Sequence, residues 1–157
     1  MKRLLGTLLA VGSLAAAGCG SSSPDPTPNA CLGGGDAYLA ALVGAPDAVA
    51  LGGSVPISDC LVGDQSAGQL SAVGEGMIAA ASELNRRARI RPGGAAAEQL
   101  GYLLGAVEEG ASETAGIHSD LVLRLNAAAR FSPGGAGLGA EFERTYGSGY
   151  AAARGLG

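Results

Sequence analysis

Apolar residues recur at three- and four-residue steps along most of the chain beyond position 65. Leu70, Val73, Met77, Ala81, Leu84 and Ala88 hold this step for five turns, the period of a helix with one buried face. Ser66-Ala67-Gly68-Gln69 ahead of them matches a capping box, and Pro92-Gly93-Gly94 stops the run. A second pattern spans about 95–109, with Leu100, Leu103, Leu104 and Val107 inward and Gly110 as its terminating residue. Ser112 is placed to cap a third helix reaching about 131, with Ile117, Leu121, Val122, Leu125 and Ala128 as its stripe. Ser132-Pro133-Gly134-Gly135 breaks it. A last helix, about 137–154, aligns Leu138, Phe142, Tyr146 and Tyr150. Short Gly/Pro loops make neighbouring helices antiparallel. The expected fold class is all-α, an up-and-down bundle of about four helices.

Upstream the pattern is weaker. Asp36 can cap a short helix with Tyr38, Leu39, Leu42 and Val43 on one side, ending at Gly44. Pro46 suits the first position of another short helix, 46–51. Residues 54–60 read as an ordered loop with room for a short edge strand. These pieces form a cap on the bundle, and residues 31–157 read as one domain. Residues 20–30, Gly-Ser-Ser-Ser-Pro-Asp-Pro-Thr-Pro-Asn-Ala, have no apolar face and three prolines, which predicts an extended tether about 20–30 Å long.

The first residues read as a targeting segment. Lys2 and Arg3 precede a fourteen-residue apolar run, Leu4–Ala17, shorter than the roughly 20 residues a membrane span needs. Ala16-Ala17-Gly18-Cys19 then resembles the lipobox of bacterial membrane lipoproteins, a resemblance confined to residues 1–23. Most members carry Leu three residues before the cysteine, where this chain has Ala16. The resemblance implies cleavage after residue 18 and acyl chains of the palmitate type on Cys19. These would hold the protein at a cell membrane, on its extracytoplasmic face. Two or more chains anchor stably, at about 0.8 kcal/mol per buried CH₂. An ordinary secreted protein cut nearby, or an uncleaved anchor, are the alternatives. With Cys19 acylated, Cys31 and Cys60 are left as a natural pair in a compartment that permits disulfides. A loop of that length contributes roughly 3–4 kcal/mol in the chain-entropy model. Two free thiols are the other reading.

Removing residues 1–18 takes away Lys2 and Arg3 and leaves eight basic residues against fourteen acids, a net charge of −6. So acidic a chain is not expected to take nucleic acid as a partner, because phosphate contacts need a basic face. Glycine, at 28 of 157 residues, is more than twice its usual share of about 7%. Such small side chains bury little area, so the helices must approach closely. Gly101 and Gly105 provide one face for this.

Chemistry has few candidates. The chain has one histidine, His118, and no ligand-spaced cysteine pair, so no metal site and no cofactor are expected. His118 is read as a solvated or hydrogen-bonded residue of a helix's first turn. Its neighbours Ser119 and Asp120 point to other sides of a helix and cannot form a catalytic chain with it. Glu108 and Glu109 are read as solvated charges close to the next helix's N-terminus. Arg86, Arg87, Arg89 and Arg91 form the one dense basic cluster. They either complement the helix dipole or contact an anionic headgroup or envelope polymer. Phe142, Tyr146 and Tyr150 are core by first reading, and an apolar groove by the second. The leading functional expectation is a non-catalytic lipoprotein that binds an envelope protein or wall component. A carrier of a small apolar ligand is the alternative, and an enzyme is the weakest.

Overall fold

The computed structural model describes residues 27–155, so Cys19, the targeting segment and most of the tether lie outside it. Among the described residues five α-helices follow one another: α1 (Gly34–Leu42), α2 (Ala67–Ile90), α3 (Ala95–Ser112), α4 (Ser119–Arg130) and α5 (Gly139–Ala153). Among the described residues the only β feature is a single bridge between Leu51 and Val55. The fold is all-α, with a short-helix cap ahead of four longer helices, and Cys31 and Cys60 are bonded.

Local chemistry accounts for the boundaries. Ser66 Oγ accepts from the Gln69 amide and donates to the Gln69 side chain, which fixes the first turn of α2. Pro92 ends α2, and the chain turns within four residues into α3. Val73, Met77, Ala81, Leu84 and Ala88 are fully buried, as are Leu100, Leu103 and Val107 of α3. Leu121 and Leu125 of α4 and Phe142 of α5 complete one continuous core that also takes in Tyr38 and Leu42 of α1.

Helix directions alternate from α2 to α5, and α3 is the shared wall on which α2, α4 and α5 all pack. The closest interface joins α3 and α5, which run parallel. Gly101 lies against the Tyr146 backbone, Gly105 against Tyr150 and Ala153, and Gly149 against Glu98. A methyl group on Gly101 or Gly149 would overlap a carbonyl oxygen of the facing helix. The Gly-x-x-x-Gly face therefore serves close backbone approach inside the fold.

Several expected boundaries move. Residues 46–51 form no helix; turns fill 43–47, with a cis Ala45–Pro46 peptide, before the Leu51–Val55 bridge. Helix α3 runs two residues past Gly110, which packs against the Ser58 backbone and does not end the helix. Helix α4 begins at Ser119, seven residues after Ser112. Ala115 and Gly116 take positive φ (50° and 89°), a left-handed turn that no helix can continue through. Ile117, expected inward, belongs to that turn and is 41% exposed.

Candidate functional site

The C-terminal turns of α2 gather the arginine cluster at one end of the bundle. Glu83 sits a turn earlier and takes a forked contact from Arg86, through Nε and Nη2 at 2.8 and 2.7 Å. Arg87 Nε reaches the same carboxylate at 2.8 Å. These two guanidinium groups hold the Glu83 carboxyl well below its usual range, at about 2. Arg89 lies over the Phe131 ring, 6.0 Å from its centroid, and its Nε is shielded from solvent with no protein partner. Neither Arg89 nor Arg91 pairs with a carboxylate among the described residues.

Two shallow clefts meet at Arg86. One, of about 410 Å³, lies between α2 and the start of α3 and is lined by Arg86, Arg87, Ile90 and Arg91 with Gly94 and Gln99. The other, of about 550 Å³, lies between α2 and α4 and is lined by Arg86, Arg89, Ser82 and Phe131. The structure thus brings all four arginines onto one corner, divided between two faces of it. Sequence reasoning missed the apolar members. Ile90 is 76% and Phe131 61% exposed, beside the arginines. The signal was present for Ile90, which falls out of step with the Val73–Ala88 stripe.

The opposite end is a buried polar junction. His118, which precedes α4, is fully buried. Its Nε2 lies 2.9 Å from Gln65 Oε1, and its Nδ1 lies 2.9 Å from Thr114 Oγ1. Gln65 Nε2 donates to Thr27 Oγ1 (2.8 Å) and to the Cys60 carbonyl (3.1 Å). A carbonyl can only accept, so the amide nitrogen must face Cys60 and the amide oxygen must face the ring. His118 Nε2 therefore carries the proton, and Nδ1 faces the Thr114 hydroxyl, whose single proton is shared between the ring and the Ala111 carbonyl, also 2.9 Å away. Burial holds the His118 pKa below its ordinary value. The histidine is hydrogen-bonded as expected, and it is not solvated. Nε2, through Gln65, ties the bundle to the cap beside the Cys31–Cys60 bridge, and Nδ1 holds the turn between α3 and α4.

Glu108 and Glu109 are not free solvated charges either. Glu108 accepts a short hydrogen bond from the Tyr150 hydroxyl and a 3.3 Å contact from Asn126, joining α3 to α5 and α4. Glu109 pairs with Arg154 at 3.4 Å. In the aromatic stripe, Phe142 and Tyr146 are buried and Tyr150 is half-buried, the rings stacking at 5.5 and 6.4 Å. These rings pack against one another and the α3 core, with Arg130 over the Tyr146 ring at 5.8 Å.

Among the described residues no three metal-capable side chains converge, and no helix is long and apolar enough to cross a membrane. Comparison with protein-family models, curated proteins and solved structures finds no match to this chain.

Proposed function

We propose that the protein is an extracytoplasmic lipoprotein, anchored by acyl chains on Cys19, that works as a non-catalytic binding module of the cell envelope. The observation that carries this reading is the use of the cysteines. Cys31 and Cys60 are bonded to each other, which leaves Cys19 as the odd one, directly after an apolar run and the small residues Ala16-Ala17-Gly18. A disulfide fits an oxidising compartment, and a lone cysteine at that position fits acylation. The binding role is supported by the exposed arginine corner with its apolar neighbours. The buried aromatic rings give less support to a ligand carrier.

The test is fractionation of cells producing the Cys19→Ser chain. The proposal expects the native chain in the membrane fraction and the variant released from it, with processing altered. Equal retention of the two would contradict the lipid anchor. Crosslinking in intact cells should then recover a reproducible partner; random neighbours alone would count against the binding role.

A further inference from the structure

We infer that the arginine corner rests on the anionic headgroups of the bilayer that holds Cys19, with α2 lying along the lipid surface. This rests on the lipid-anchor reading and gives the corner the membrane itself as its partner.

The make-up of the corner selects that partner. Arg86, Arg87, Arg89 and Arg91 share it with Glu83 and with Glu141, whose carboxylate lies against Gly93. Arg130 and Glu143, beside Phe131, offset each other across 3.7 Å. The corner thus holds five arginines and three carboxylates, a net charge of +2 in a chain that bears −6 beyond residue 18. So small a charge holds a soluble polyanion poorly once salt screens it. The same corner exposes Ile90 and Phe131, one in each of the two clefts that meet at Arg86. A lipid surface answers both features, because it sets negative headgroups over apolar depth. Guanidinium groups bind phosphate through two parallel hydrogen bonds, and apolar side chains among them enter the acyl boundary. Arg89 and Arg91, which pair with no carboxylate among the described residues, supply free donors.

The tether permits the pose. Thr27 is held by Gln65, just before the first turn of α2, and the arginines occupy the last turns. Those ends are about 30–36 Å apart at 1.5 Å per residue. Eight residues separate Cys19 from Thr27, and a chain of that length spans at most about 26–29 Å. An upright domain would carry the arginines away from the lipid. With α2 laid along the surface, its last turn is as close to the headgroups as its first. The anchor also keeps lipid at a high local concentration, so that a weak surface suffices.

The first test uses the mature chain, residues 19–157 with Cys19→Ser and so without acyl groups, sedimented with vesicles. The inference expects binding to phosphatidylglycerol and none to phosphatidylcholine, weakening with salt. Arg86→Gln/Arg91→Gln should weaken it about tenfold or more. Ile90→Ser/Phe131→Ser should weaken it about threefold or more, with helical content unchanged in both variants. Binding that is absent, equal on the two lipids, or equal in native and substituted chains would overturn the inference. Stronger binding to soluble polygalacturonate than to the anionic vesicles would overturn it in favour of an envelope polymer. In the acylated chain, a nitroxide on Ala127→Cys, in the cleft beside Phe131, reads the pose. It should be shielded from a water-soluble nickel chelate in phosphatidylglycerol vesicles and open to it in phosphatidylcholine; equal exposure in both would contradict docking. A salt wash of cell membranes separates the two readings, since it strips docked chain and leaves acylated chain. Retention of Cys19→Ser after that wash speaks against the anchor, and loss of vesicle binding against the docking surface.

Discussion

His118 illustrates how a single side chain can be central to packing while carrying no chemistry. Its ring donates to Gln65 at one edge and meets the Thr114 hydroxyl at the other, and Gln65 passes the connection on to Thr27 and Cys60. His118→Ala would leave the Gln65 carbonyl oxygen unpartnered and open a cavity, a destabilisation of about 2–4 kcal/mol. The pH dependence follows from burial, which lowers the folded-state pKa below the ordinary 6.5. Between those two values the unfolded chain binds a proton that the folded chain refuses. Stability is therefore full above about pH 6.5 and declines as pH falls through the folded pKa. Urea unfolding between pH 8 and 5 should show this decline in the native chain and a flatter profile in His118→Ala. None of it was visible in the sequence. The partners lie 53 and 38 positions apart along the chain, and only the fold brings them together.

At the scale of elements, close approach of α3 and α5 is the feature on which packing depends most. Gly101 and Gly149 each leave no room for a side chain, whereas Gly147 of α5 faces open space. Gly101→Ala should cost about 1–3 kcal/mol or more through overpacking. Gly147→Ala should add about 0.5–1 kcal/mol from helix propensity alone. Paired urea midpoints check both, and a small loss at Gly101 would mean that the two helices separate easily. Helix α2 was legible almost to the residue, because Ser66, Pro92 and an unbroken stripe all act locally. The start of α4 was not, because Ser112 offered a plausible cap. Its hydroxyl instead donates to the Glu109 carbonyl at 2.7 Å. The Gly101–Gly105 face was recognisable as a packing surface. That its partner would be α5, running parallel, depends on how the chain crosses α3 and could not be read from local pattern.

For the whole molecule, the disulfide-stapled cap with its His118 junction and the arginine corner lie at opposite ends of α2. The arginine cluster was legible in sequence, since four arginines within six residues are conspicuous. Its exposed Phe131 was not, because that residue follows the end of α4 and joins the surface only through packing beside Arg89. The account depends most on Cys19 being the processed, lipid-bearing end of a chain whose other two cysteines are bridged. An intact-mass measurement on protein extracted from membranes addresses both parts at once. It should give a chain beginning at Cys19 with added acyl mass, inert to thiol alkylation until reduced and then alkylated at two positions. A chain retaining residues 1–18, an unmodified Cys19, or thiols that alkylate without reduction would contradict it.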